Sequence, residues 1–279
     1  MVIGELFLIL LGLVWIIFAV VQDLRKREIA NWLNFSLVIF ALVFRFFYSM
    51  FNNQGYNFFF QGVLGFVFFL VIGNLLYYGK VFAGGDAKLM IGLGAIVPFS
   101  SNFLSNVNSS LMFLLFFLVA GALYGVVLAV YLGVKNRKVF KKEFAKEFKK
   151  SKKVFYIAVV FGIILILLAF FDILFLYLGI LIFIAPYVYY SAKSIDEGCM
   201  IKKINTKNLT EGDWLYRDVK LGKRLIEAKW SGLSQDEIVF LRKKKKDVLI
   251  REGIPFSPVF LISYAGLIYA LVIGNISLF

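Results

Sequence analysis

A chain of 279 residues that is 61% hydrophobic, with 33 phenylalanines and a mean hydropathy of +0.84, lies far above the roughly 45–50% apolar content of soluble domains. It has no histidine and one cysteine, Cys199, which excludes a Cys/His zinc site, an intrachain disulfide and any nucleophile–histidine pair. Its net charge of +14 would suit a polyanion, but no basic–aromatic motif points to nucleic acid.

The apolar runs set the organisation, because about 20 such residues cross a hydrocarbon core near 30 Å thick. Residues 1–134 read as a membrane core of spans at 5–22, 32–51, 58–79, 87–104 and 111–134. Arg45 in the second is expected to snorkel at its outer end, with Glu5 as a partner. The fourth is the weakest: Gly92, Gly94 and Pro98 lower helix propensity, and a thin helix packed inside the bundle is expected. If Leu89–Phe99 only dips into the bilayer, one span fewer results. Gly121, Ala122 and Gly125 give the fifth a small-residue packing face.

Residues 135–153 hold ten Lys/Arg with Val139, Phe140, Phe144 and Phe148 at near-helical spacing, and predict a separate basic interfacial helix. Residues 154–190 read as a helix pair turning at a solvated Asp172. Residues 191–256 form an insertion. Ser234 and Glu237 make a capping box with Leu233 and Ile238 as a hydrophobic staple, and a second helix is expected over 213–229, so that the insertion is α-rich. Residues 257–279 hold the final span. The fold class is an all-α polytopic membrane protein with about eight transmembrane helices, six or seven being possible.

All Lys and Arg except Arg45 fall in 23–31, 80–88, 135–153 and 191–256. Those blocks share one side if the runs cross in pairs, which makes that face cytoplasmic, puts both termini outside and suits anionic lipid headgroups.

Two acids stand out. Asp23 ends the first span and Asp86, behind Gly84 and Gly85, begins the fourth, so the topology puts both at one membrane boundary. Two close carboxylates share a proton, and one can act as general base while the other donates, with no cofactor. The plainer alternative is a pair of headgroup-level salt bridges to Arg25, Lys26, Arg27 or Lys88. Glu28 reads as a local salt-bridge partner.

Gln22-Asp23-Leu24-Arg25-Lys26-Arg27-Glu28-Ile29-Ala30-Asn31, the Gly84-Gly85-Asp86-Ala87-Lys88 stretch running on to Pro98, and the Gly253–Pro258 approach to the last span resemble archaeal type IV prepilin and preflagellin peptidases, which are GxGD membrane aspartyl proteases. The resemblance implies Asp23 and Asp86 as the catalytic pair, with Gly84, Gly85, Lys88, Arg25 and Asn31 as supporting motif residues. It implies substrates among pilin-like or archaellin precursors, cut at the cytoplasmic boundary where a basic leader meets an apolar helix. The first glycine of GxGD is Ala83 here, which puts the local geometry in question. Nothing matches the zinc domain of bacterial relatives, so peptidase activity without methyltransferase activity and without metal is expected. A presenilin-like protease cutting within helices, a proton-coupled transporter and a non-catalytic assembly protein are the competing readings.

Overall fold

The computed structural model describes residues 3–52, 55–222, 224–244 and 247–273. In chain order the helices are α1 (Ile3–Lys26), α2 (Asn31–Phe51), α3 (Asn57–Tyr78), α4 (Gly84–Gly94), α5 (Phe103–Lys135), α6 (Arg137–Leu167), α7 (Ile173–Ser194), α8 (Gln235–Lys244) and α9 (Ser257–Ile273). Five short strands lie between α7 and α9: β1 (Ile201–Asn205), β2 (Trp214–Leu215), β3 (Val219–Leu221), β4 (Arg224–Ile226) and β5 (Asp247–Arg251). Among the described residues, six helices (α1, α2, α3, α5, α6 and α7) are long and apolar enough to cross a membrane, and α9 is a shorter apolar one. The chain is a multi-pass α-helical membrane protein. It divides into two compact units, residues 1–125 with 254–279, and residues 126–253.

The first unit is built around α4. With 11 residues, this helix is only about 16 Å long at 1.5 Å per residue, too short to cross alone. The chain continues through Ala95–Ser100 without regular helix, all of it buried. The segment runs parallel to α2: Lys88 Nζ donates to Asn31 Oδ1 at 2.6 Å, and ten residues later Pro98 reaches Arg45. Those two α2 positions lie about 21 Å apart along the helix. The fourth span is thus half helix and half unwound chain, rather than a helix over 87–104.

Unwound backbone in lipid needs its carbonyls satisfied from within the protein, and here Arg45 does it. Nε donates to Ala95 O at 3.0 Å, Nη1 to Phe58 O at 2.8 Å, and Nη2 to the carbonyls of Ile96 and Pro98. The guanidinium also lies over the Phe58 ring at 4.5 Å. Arg45 is fully buried, so the expectation of a snorkelling side chain at the outer end is overturned. Its donors are more stable on four inward carbonyls than they would be stretched toward water.

Glycines on one face of α3 make room for this arrangement. A Cβ on Gly62 would collide with the Arg45 side chain, and one on Gly65 would meet Pro98 and stand 2.5 Å from Gly94 O. On α5, a Cβ on Gly121 would stand 3.1 Å from the Phe256 ring, whereas Gly125 faces open space. The small-residue face expected on α5 therefore packs at Gly121 and not at Gly125.

In the second unit, α6 and α7 form a hairpin whose helices touch at Gly162 and Gly179: a Cβ on Gly179 would sit 2.7 Å from Ile166 N. Asp172 caps α7 by accepting from Leu174 N at 2.8 Å, the role that a short acidic side chain takes at a helix start. The separate interfacial helix expected over 135–153 is instead the first half of α6, which kinks at Ser151 (φ −134, ψ 28) and continues. Lys, Glu, Ala and Phe fill this stretch, and neither Gly nor Pro interrupts it before Gly162.

The insertion is not α-rich. β5 is the central strand of an antiparallel sheet, β1–β5–β2. The helix expected over 213–229 is replaced by the β3–β4 hairpin. Its sequence explains this: Val219 is buried, Lys220 exposed, and Ile226 buried again across a turn where Gly222 has φ +64. That is a two-residue period closed by a residue free to adopt positive φ. Leu215, Val219, Ile226, Ile238, Leu241 and Val248 share a small apolar core. The capping box is present: Ser234 N donates to Glu237 Oε2 at 2.9 Å and Glu237 N to Ser234 Oγ at 3.4 Å. The Ser234 amide holds the Glu237 carboxyl below its ordinary value.

Candidate active site

Asp23 lies near the end of α1 and is 7% exposed. The helix stops at Arg27, whose φ of +58 reverses the chain while its amide donates to Asp23 O at 2.8 Å. The turn is then pinned by Ala30 N donating to Gln22 Oε1 at 3.0 Å. Asp86 lies in the first turn of α4, where an acid suits the positive end of the helix dipole. It is half-buried.

The two motif segments are docked on each other. A Cβ on Gly85 would stand 3.3 Å from Ile29 Cβ, so Gly85 is the position where close approach favours glycine. Lys88 and Asn31, both exposed, tie the same two segments at their rim. Asp23 and Asp86 come close enough for the charge on Asp23 to act on Asp86. Gly84 has looser surroundings, its nearest neighbour being Tyr77 at 3.8 Å from a Cβ. Arg25 is exposed at the end of α1, and the structure does not draw it to the pair.

Ala83, which replaces the first glycine of the motif, has φ −70 and ψ 161. That is ordinary extended backbone open to any L residue, so the departure brings no backbone strain.

A third segment completes the site. Ser257 N, at the start of α9, donates to Asp23 Oδ2 at 3.2 Å. The turn before it is held by Tyr124 Oη, which donates to Pro255 O at 2.8 Å, and Tyr124 also feels the charge of Asp23. Phe256 packs against Phe82, ring centroids 6.0 Å apart, and against Phe117 at 5.7 Å. Phe82 leads directly into the Asp86 motif, so one short turn braces both acid-bearing segments. The Gly253–Pro258 stretch was the visible signal for this turn. Nothing in the sequence pattern singled out Tyr124 or the Ser257 amide.

Among the described residues no group of three or more Cys, Asp or Glu side chains converges as a metal site would require. The chemistry available is that of two carboxyls in a mostly apolar surrounding, with Lys88 and Asn31 exposed at its rim.

Residues 10–130, which contain both acids, match the type IV leader peptidase family. Preflagellin peptidases of Methanococcus maripaludis and Methanocaldococcus jannaschii are 35% and 33% identical over 89 residues, 32% of this chain and 38% and 37% of theirs. That of Methanococcus voltae is 27% identical over 88 residues, 32% of this chain and 37% of its own. The chain thus spans well under half the length of the curated relatives that it matches. No solved structure matches it.

Proposed function

Because residues 10–130 match the type IV leader peptidase family, we propose that this chain is a membrane aspartyl endopeptidase, with Asp23 and Asp86 as its catalytic pair. Its substrates are archaellin or pilin-like precursors, cut where a basic leader gives way to an apolar helix, and it carries no methyltransferase activity. The observation that supports this most directly is the docking of two motif segments, 57 residues apart at Asn31 and Lys88, so that the charge of one acid reaches the other.

In the reaction, one carboxylate takes a proton from water as the water oxygen attacks the scissile carbonyl carbon. The other, protonated, donates to the carbonyl oxygen. Collapse of the tetrahedral intermediate breaks the C–N bond as a proton passes to the leaving amine. The pair faces the cytoplasm in this reading, as the positive blocks flanking it imply. Exposed Lys88, tied to exposed Asn31 at the rim of the docked motif segments, supports a boundary site over a presenilin-like one near mid-bilayer. Anionic lipids would meet the basic half of α6.

The test is cleavage of archaellin and pilin precursors by the solubilised protein. Asp23→Asn and Asp86→Asn are each expected to lower turnover by a factor of about a thousand or more, since general acid and base steps contribute about 10²–10⁴-fold each. Both variants should melt near the wild-type temperature. Robust cleavage by either one would refute the pair.

A further inference from the structure

The first turn of α9 carries a feature that the two-acid scheme leaves unused. The Ser257 hydroxyl is wholly buried and has no hydrogen-bond partner among the described residues, while the amide of the same residue donates to Asp23 Oδ2 at 3.2 Å. A buried hydroxyl left unpaired is destabilising, and such groups in native proteins call for an explanation, a catalytic role among them. Here an acceptor lies next to it. The N–H and O–H of one serine can both reach a single carboxylate, and a serine hydroxyl changes direction by rotation about χ1.

Asp86 lacks a comparable brace among the hydrogen bonds described, and it answers to the charge of Asp23. Tyr124 from α5 lies close enough to feel the charge of Asp23, and Arg27 from the end of α1 acts on Tyr124. The environment is therefore asymmetric: Asp23 accepts a hydrogen bond from an amide of a second helix, and none is described for Asp86. Donors aimed at a carboxylate favour its ionised form.

We propose that Ser257 is the positioning residue that makes Asp23 the ionised, water-activating member of the pair, leaving Asp86 to hold and donate the shared proton. While Asp23 carries the charge, before it takes a proton from water, the Ser257 amide orients it and the hydroxyl turns onto it as the second donor. This rests on the peptidase reading above and adds a division of labour to it. The bracing of the 253–257 turn by Tyr124 and Phe256 is what keeps the serine in register with Asp23.

The experiment is the pH profile of kcat/KM for precursor cleavage by the full-length protein in detergent, comparing wild type with Ser257→Ala, Ser257→Cys and Ser257→Thr. Loss of one charge-assisted hydrogen bond should move the acid limb of Ser257→Ala upward by about one pH unit, a roughly tenfold loss on the acid side, with KM within about twofold. Ser257→Cys keeps the size and the packing but only a weak donor, and should shift the limb similarly even if the alanine variant folds poorly. Ser257→Thr retains the hydroxyl and should restore the wild-type limb. An active wild type whose limb is unmoved in both the alanine and the cysteine variants overturns the role of Ser257 and leaves the peptidase reading standing. A wild type that cuts no precursor overturns that reading and this inference with it.

Discussion

At the scale of single residues, Arg45 shows how a buried charge can serve structure rather than chemistry. Its guanidinium takes the place of the missing helical N–H donors where α4 gives out, bonding carbonyls from Ala95 to Pro98 and Phe58. Arg45→Met would keep most of the volume and strand those carbonyls in an apolar interior. A loss of about 3–5 kcal/mol is expected, the usual result of removing one partner from a buried charged network, read from SDS or thermal unfolding in detergent. Arg45→Lys should recover only part of it, because an ammonium has three donors and no planar fork. Asp172 and Glu237 are the opposite case. Their partners are two and three residues away, so the capping box was readable from spacing alone, and the use of Asp172 as a cap needed only one further hydrogen bond.

At the scale of elements, the contact between α3 and α4 carries the site, since α4 presents Asp86. Gly65 and Gly94 approach so closely that a Cβ on Gly94 would lie 2.7 Å from Gly65 O. Gly65→Ala must therefore push the helices apart. A cost of about 1–3 kcal/mol is expected from overpacking, together with a fall in cleavage as Asp86 moves relative to Asp23. Gly125→Ala is the matched control: nothing lies within 4 Å of its Cβ, and removing a mid-helix glycine should leave stability equal or up to about 1 kcal/mol higher. Melting curves of the two variants side by side would separate packing from propensity. The β3–β4 hairpin belongs to this scale too. Its alternation of Val219, Lys220 and Leu221 before Gly222 was present in the sequence, but the segment also holds Leu225 and Ile226 at spacings that a helix could use, and only the pairing of Val219 with Ile226 fixes the period.

At the scale of the whole molecule, the expectation to be tested is topology. By the positive-inside rule, the blocks at 23–31 and 80–88 are expected to put both acids on the cytoplasmic side, with the segment leading into α5 opposite. In a Cys199→Ser background, Lys26→Cys and Lys88→Cys should react with an impermeant thiol reagent only after the membrane is opened. Asn102→Cys, exposed at the other end of its segment, should react in intact cells. Labelling of Lys26→Cys and Lys88→Cys from opposite faces would separate the acids and end the peptidase reading.

Composition and period alone determined that this chain lives in a bilayer, roughly where its long apolar runs lie, and which two motifs carry its acids. These are local properties, written within a turn or a span, and the hydrophobic and capping rules read them directly. The unwinding of the fourth span, the inward turn of Arg45 and the grip of Ser257 on Asp23 were decided by tertiary structure. Their partners lie 50 to 53 residues apart for the Arg45 bonds to the unwound segment and 234 for Ser257 and Asp23. No local pattern encodes a hydrogen bond over that separation. Only packing selects it, because a polar group withdrawn from water must find its partner wherever the fold has brought one.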